Sequence, residues 1–172
     1  MPDATGLELL AQELREGAVD GEDPVLDTVH FRGKAQLVVA PPAIRATLRA
    51  LWSKGFTFLA SVHGVDYYPD EPRLGVHYQL LDMPNVDRIR LMTRVTIEQP
   101  HVPSLCTIWP GANHPEREVY DMFGVIFDGH PDLRRILMPE DYEGFPQRRD
   151  FPMGGEPVLF THNETQTPAW WE

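Results

Sequence analysis

Prolines and glycines divide this 172-residue chain into two unequal parts. The segment from Pro100 to the carboxyl end holds ten of the seventeen prolines and six of the thirteen glycines. Proline fixes φ and removes a backbone donor, so a segment this rich in it cannot form long helices or central strands. We therefore predict an α+β domain over residues 1–127 and an extended strap and tail over 128–172. This strap needs a surface to lie on, and we expect that surface on partner subunits.

Three helices are predicted from apolar residues that recur every three or four positions. The first is an acidic helix over 7–17, the second lies over 41–55, and the third lies over 113–124. Asn113 and Glu116 have the spacing of a capping box, in which the Glu side chain returns to the start of its own helix.

Alternation of apolar and polar residues predicts extended segments at 27–31, 35–40, 56–62, 76–80 and 89–97. Proline-containing turns join the last three segments, so these should pair as an antiparallel meander. The simplest assembly is an α+β fold, with an antiparallel sheet of about four to five strands and helices packed on one face.

Charge and cysteine content exclude several classes of function. The formal net charge is −11, which argues against tight sequence-independent binding to nucleic acid because that affinity comes from cations that neutralise phosphates. The single cysteine, Cys106, excludes an internal disulfide, a cysteine-rich zinc site and an iron–sulfur cluster held by this chain alone. No apolar run approaches the ~18 residues of a membrane span, so we expect a soluble chain in a reducing, cytoplasmic compartment.

A metal site is one candidate for chemistry, with the ligands His114, Glu118, Asp121 and His130. Zinc and non-haem iron sites bring together two or three such ligands at characteristic spacings. The spacing here matches no established signature. Helix capping and salt bridging account for the same residues.

Two further candidates are an RNA-binding face and a nucleophile. The first is a strand face that carries Arg88, Arg90 and Arg94. Sheet-based RNA readers also place aromatic rings on such a face to stack bases, and this face lacks them, so a solvated or carboxylate-paired face is favoured. Cys106 lies between apolar neighbours, where thiols are usually inert. The chain contains no glycine-rich phosphate loop or dinucleotide fingerprint.

The densest block of unusual residues runs from Glu116 to Leu137. It reads Glu-Arg-Glu, two residues, an acid, two hydrophobics, six residues, His, three residues, a base, one residue and two hydrophobics. This pattern closely resembles the signature of the thirty-kilodalton subunit family of respiratory complex I, the proton-pumping NADH:quinone oxidoreductase, whose bacterial members are known as its C subunit. The resemblance extends through 109–113 and 138–152, and His114 and Phe145 depart from the family pattern.

The resemblance implies a non-catalytic structural subunit of the peripheral arm, which supports electron transfer from NADH to quinone by holding neighbouring redox subunits. Its implied partners are the large subunit of the forty-nine-kilodalton type and the iron–sulfur subunits of the arm. FMN and the iron–sulfur clusters would lie in those partners, with no cofactor in this chain. The implied location is the cytoplasmic side of the cell inner membrane, as a peripheral subunit.

Two alternatives remain beside this interpretation. The nearer one is the equivalent subunit of a ferredoxin-fed quinone oxidoreductase or of a membrane-bound hydrogenase. The other is a free-standing RNA-binding α+β protein.

Charged residues of the signature and strap, with two tryptophans of the tail, are the predicted subunit-interface residues. At a dry subunit contact, loss of one member of an ion pair costs ~2 to 5 kcal/mol because its partner stays buried and unpaired. An internally satisfied network that only holds the strap explains the charged residues equally well. The predicted set is Glu116, Arg117, Glu118, Asp121, His130, Arg134, Arg135, Arg148, Arg149, Asp150, Trp170 and Trp171.

Overall fold

The structure, a computed structural model, describes residues 4–17 and 23–152. These ranges contain three α-helices and seven strands, and a turn of 3-10 helix precedes the second and third α-helices. None of the described helices has the length and apolar composition of a membrane span. The elements are α1 Ala4–Glu16, β1 Val25–Phe31, β2 Lys34–Val39, α2 Ile44–Ser53, β3 Phe58–Asp66, β4 Leu74–Asp82, β5 Asp87–Val95, β6 His101–Pro103, α3 Asn113–Phe123 and β7 Ile126–Asp128.

Five strands form one mixed sheet in the order β1-β2-β5-β4-β3. The predicted antiparallel meander of β3, β4 and β5 is confirmed, and β1 also pairs with β2 in antiparallel fashion. However, β2 and β5 are parallel, so the prediction of a wholly antiparallel sheet is wrong at this junction. The cause is the connection through α2, since a crossover helix lets β3 start in the same direction as β2. The meander then reverses twice and brings β5 back beside β2.

The helices pack on one face of the sheet, as predicted. Helix α1 contacts β1 and β2, and helix α3 contacts β3. The two layers meet closely where Gly64 of β3 faces Phe123 of α3, because a Cβ at Gly64 would lie 2.4 Å from the phenyl ring. One hydrophobic cluster joins both layers, and its fully buried members include Leu7, Leu37, Leu48, Leu80 and Leu91.

A second, two-stranded parallel sheet, formed by β6 and β7, was not predicted. The Ile126 N–H donates to the Pro100 carbonyl at 2.7 Å, and the Ser104 N–H donates to the Asp128 carbonyl at 2.9 Å. Each strand has three residues, too few to show an alternating pattern. Ser104, which follows β6, then lies beside Glu116 in the first turn of α3.

The described part of the strap, residues 128–152, lies against the chain's own domain. The Gln147 N–H donates to the Met122 carbonyl at 3.2 Å, and Nε of Arg148 donates to the Phe123 carbonyl at 2.7 Å. This segment therefore has a surface within its own chain, where the sequence interpretation sought one on partner subunits. Residues 153–172, with Trp170 and Trp171, lie outside the described residues, and contact with partners stays a prediction.

Candidate functional site

Helix α3 carries the charged residues of the signature. The predicted capping box is wrong, since Ala112 occupies the N-cap and makes no side-chain cap hydrogen bond, while Glu116 binds a different loop. The C-terminal stop at Gly124 is confirmed, and the residue has the left-handed conformation, at φ 77°, that glycine adopts without steric cost.

Glu116 is fully buried and joins α3 to the loop after β6. Its carboxylate accepts hydrogen bonds from the Ser104 hydroxyl and the Leu105 N–H, both at 2.7 Å, and from the Cys106 thiol at 3.5 Å. Burial raises the pKa of Glu116, and the hydrogen bonds from Ser104 and Leu105 oppose that rise. The carboxylate thus organises the loop through polar contacts inside the core.

Cys106, Glu116 and His130 form the only group of three or more potential metal ligands that the described residues bring together, with ligand atoms within 4.8 Å of one another. His130 Nδ1 accepts the Asp132 N–H at 3.0 Å, so Nε2 carries the ring proton and donates to the Asn113 carbonyl at 3.2 Å. Both ring nitrogens therefore have partners, and the donor set does not fit a metal ion.

The metal ligands predicted from the sequence do not converge. His114 and Glu118 are exposed on α3, whereas Asp121 is buried and binds the strap. His130 lies instead beside Glu116, at 4.0 Å between Nε2 and the carboxylate. This set of four is therefore not a metal site in the structure.

Asp121 is the second buried carboxylate of α3 and holds the strap by four donors. Nη1 of Arg135 donates to it at 2.7 Å, and the N–H groups of Ile136, Leu137 and Met138 donate at 3.1, 2.8 and 2.8 Å. Burial alone would raise the pKa of Asp121, but these hydrogen bonds outweigh burial and lower it. The strap residues thus wrap around one ionised side chain.

Phe145 lies between two guanidinium groups. Its ring centroid is 5.4 Å from Cζ of Arg135 and 4.4 Å from Cζ of Arg148, distances at which a cation is attracted to an aromatic face. The ring also packs over Gly124, where a Cβ would lie 2.6 Å from Phe145. This departure from the family pattern therefore has a structural role in holding the strap.

An ion-pair network around Arg73 holds the end of the described strap. Asp150 belongs to the predicted set, whereas Arg73 and Asp66 were not predicted from the sequence. Arg73 is 4% exposed and binds Asp66 through Nε and Nη2, both at 2.7 Å, and Asp150 through Nη1 and Nη2 at 2.7 and 2.6 Å. The Arg149 N–H also donates to Asp66 at 2.7 Å. Hydrogen bonds from Arg73 strongly lower the pKa of Asp66, although burial opposes them. The sequence does contain a signal for this pair, since Asp66 ends the apolar strand β3 and Arg73 directly precedes the apolar strand β4.

The remaining predicted interface residues divide into bound and exposed groups. Arg117 donates to the carbonyls of Arg134 and Arg135, both at 3.0 Å, and Arg149 donates to the Tyr68 carbonyl at 3.1 Å. Arg134 and Glu118 are exposed; the Arg134 guanidinium pairs with the exposed Asp132 at 2.9 Å. Most of the predicted charged residues thus bind within the chain, which is the internal network left open above.

The structure is that of a small α+β protein in which helix α3 and the buried side chains of Asp66 and Asp121 hold a proline-rich strap. Residues 37–157 match the family described as "Respiratory-chain NADH dehydrogenase, 30 Kd subunit". The chain belongs to that family, which confirms the resemblance seen in the sequence.

Curated relatives support this assignment. The chain is 47% identical over 150 residues to the C subunit of NADH-quinone oxidoreductase from Roseiflexus sp. strain RS-1, and the match covers 86% of each protein. It is also 47% identical over 124 residues to NADH-quinone oxidoreductase subunit 5 of Thermus thermophilus, covering 67% of this chain and 60% of that one.

Two solved structures share the fold. A trypsin-resistant fragment (1-134) of Nqo5 superposes with a TM-score of 0.61 at 34% identity, covering 74% of this chain and 98% of the fragment. A chain of the membrane-bound sulfane sulfur reductase, an archaeal respiratory membrane complex, superposes with a TM-score of 0.69 at 26% identity and covers 85% of each chain.

Proposed function

We propose that this protein is a non-catalytic structural subunit of the peripheral arm of a proton-translocating NADH:quinone oxidoreductase. It supports electron transfer by holding neighbouring redox subunits, including the large subunit of the forty-nine-kilodalton type, and FMN and iron–sulfur clusters in those partners supply the redox chemistry. It is a peripheral component on the cytoplasmic side of the cell inner membrane. Family membership and the names of its relatives support the proposal.

One observation carries the structural role: the charged residues of the signature bind other segments of the same chain. Asp121 is fully buried and binds three consecutive backbone N–H groups of the strap together with Arg135. A carboxylate saturated in this way is unavailable to a substrate and instead fixes one segment on another. The signature thus sets the shape of a helix-and-strap surface.

Glu118, Ile136 and Leu137 are among the exposed positions by which this surface would meet a partner. Leu137 is 61% exposed although its N–H is bound to Asp121. Glu118 is exposed and forms no hydrogen bond or ion pair with a described residue. A rigid surface with two exposed apolar residues, Ile136 and Leu137, and the free carboxylate of Glu118 suits a protein contact.

The test is purification of the tagged full chain from membranes, followed by identification of the co-purifying proteins. We expect redox subunits of the complex, and we expect Glu118→Lys to lower the amount of assembled complex. The matched control is Glu98→Lys, which makes the same charge change at an exposed site outside the signature. Assembled enzyme should keep its Michaelis constant for quinone; a raised constant with an unchanged amount of complex would contradict a purely structural role.

A second candidate function is the equivalent position in a membrane complex with another electron donor or acceptor. The similarity to a chain of the sulfane sulfur reductase complex favours this candidate, since it extends over 85% of both chains. The same purification separates the two: an NADH-oxidising subunit among the partners supports the first, and its consistent replacement by another donor-binding subunit supports the second.

A further inference from the structure

The face of the five-stranded sheet opposite the helices, here called the outer face, carries a group of cations in an acidic protein. These side chains come from the adjacent inner strands β2 and β5, whose core-facing residues alternate with them. None of the four forms an ion pair with a described carboxylate, whereas Arg73 and Arg135 each do. The four cations are Lys34, Arg88, Arg90 and Arg94.

Three of these cations line one cavity of about 340 Å³ on the outer face. Lys34 and Arg88 stand at the starts of adjacent strands, and Arg90 follows one step along β5. The rest of the lining contains one amide, Gln79, with Ala60, Leu81 and other apolar residues, and no acid. In a chain of net charge −11, a cavity with three cations and no acid attracts anions locally.

Neighbouring side chains hold the arginines in place. With its amide in the favoured orientation, the Gln79 oxygen accepts from Nε and Nη2 of Arg90 at 2.9 and 3.0 Å. Cζ of Arg94 lies 4.4 Å from the ring centroid of Tyr67, whose hydroxyl is 2.9 Å from Nε2 of His77. An arginine that is already oriented loses less conformational entropy when it binds a carboxylate.

We propose that the outer face is a docking surface for an acidic segment of another subunit of the complex, with an Asp or Glu carboxylate entering the cavity between Lys34, Arg88 and Arg90. The inference rests on the proposed function, because it requires an assembled complex. Planar guanidinium groups suit bidentate recognition of a carboxylate. The apolar lining then covers the stem of the entering side chain.

RNA is the competing occupant of a basic sheet face. The prediction that this face lacks aromatic rings is wrong, because neighbouring segments supply them: Tyr67 packs against Arg94, and the rings of His63 and His77 stack at 5.2 Å. Those rings contact one another or an arginine, but Phe31 and Phe58 on the edge strands of this face are exposed, so the rings do not separate the two occupants. Charge separates them, because a chain of net charge −11 repels a phosphate backbone beyond this one face. A single acidic segment fits the local charge better.

The experiment is zero-length carbodiimide cross-linking of the complex purified through the tagged full chain. A carbodiimide joins a lysine amine to a carboxylate that already touches it, and this chain has two lysines, Lys34 and Lys54. Lys54 pairs with Glu13 of its own chain and provides an internal reference. We expect Lys34 joined to an Asp or Glu of another subunit, beside the Lys54–Glu13 product.

Charge reversal provides the second measurement. Arg88→Glu, which keeps the Lys34 amine, should reduce the intersubunit product at least about tenfold by placing like charge against the acidic segment. Arg49→Glu is the matched control, because Arg49 is exposed on α2 and far in sequence from the outer face, and it should leave the yield unchanged.

The outcomes separate the inference from the proposed function. Absence of redox subunits from the purified material overturns both. An intact complex overturns the inference alone if Lys34 stays unmodified while Lys54–Glu13 forms, or if Lys34 joins a glutamate beyond residue 152 of its own chain. Ultraviolet cross-linking of co-purified RNA to the outer face also overturns it and favours the RNA-binding alternative.

Discussion

The guanidinium of Arg135 lies 2.7 Å, from Nη1 to Oδ1, from the fully buried carboxylate of Asp121. Asp121 lies on α3 and Arg135 on the strap, fourteen residues later. The pair belongs to the sequence signature and holds the irregular strap in one position against α3. A strap with few core residues of its own is held by polar contacts with a buried helix face.

Removal of the Arg135 guanidinium should loosen the strap. Arg135→Gln leaves Asp121 with three backbone donors but without its charged partner, so we expect a loss of about 1 to 3 kcal/mol in the free energy of unfolding. Arg134→Gln is the control, because its pair with Asp132 is exposed and worth under about 1 kcal/mol. Hydrogen exchange of the amides of 136–138 measures the effect; equal protection in both variants would contradict the assigned role.

Acid should weaken the Asp66–Arg73 network. The pKa of Asp66 is lowered in the folded state, so the unfolded state, with a carboxyl pKa of about 3.9, takes up the proton first as pH falls. The stability from this group is present above about pH 4 and is lost as pH falls towards the folded-state value. Urea unfolding from pH 6 to pH 2 should show this loss in the native chain.

Two variants isolate the contribution of Asp66. Asp66→Asn should cost about 3 to 5 kcal/mol at pH 7, because Arg73 stays buried without its main partner, and should flatten the acid dependence. Asp70→Asn, an exposed change in the neighbouring turn, should alter neither. An unchanged acid slope in the Asp66 variant would show that other carboxylates control it.

The negative charge of Glu116 should be dispensable for folding. Burial raises its pKa, so ionisation works against the folded state, while its oxygens serve as acceptors. We expect Glu116→Gln to stay within about 1 kcal/mol of the native chain, since an amide oxygen still accepts the Leu105 N–H. Glu116→Ala should cost about 2 to 4 kcal/mol in the free energy of unfolding, because the Ser104 hydroxyl and the Leu105 N–H lose their acceptor and a cavity remains.

Thermal unfolding of both Glu116 variants checks this prediction. Equal losses in the two would mean that the charge itself stabilises the fold. If Glu116→Gln folds normally but lowers the amount of assembled complex, the charge acts at assembly.

A methyl group at Gly64 should separate the sheet from α3. Its Cβ would lie 2.4 Å from the Phe123 ring, so Gly64→Ala should destabilise by about 1 to 3 kcal/mol through overpacking. Gly111→Ala is the matched control, because among the described residues nothing outside its own local backbone lies within 4 Å of the Cβ position there. Unfolding midpoints in denaturant compare them, and a neutral Gly64 variant would show that Phe123 relaxes freely.

Periodic patterns predicted the regular elements well where these were long. Strands β3, β4 and β5 have nine residues each, enough for alternation to show, and α2 has a full apolar stripe. The strands β6 and β7 have three residues each, too few for a pattern. Their pairing depends on the position of α3, which lies between them in the chain. The parallel pairing of β2 with β5 likewise depends on the α2 crossover.

The sequence by itself determined the family, the meander, the three helices and the charged block as the part of the chain with a special role. These properties are local, since periodicity and signature spacing lie within a few tens of residues. Only the tertiary structure decided what each charge binds: Arg73 pairs with Asp150, 77 residues away, and Glu116 turns from its own helix start to Ser104. An ion pair depends on burial and distance, and those follow from how distant segments pack.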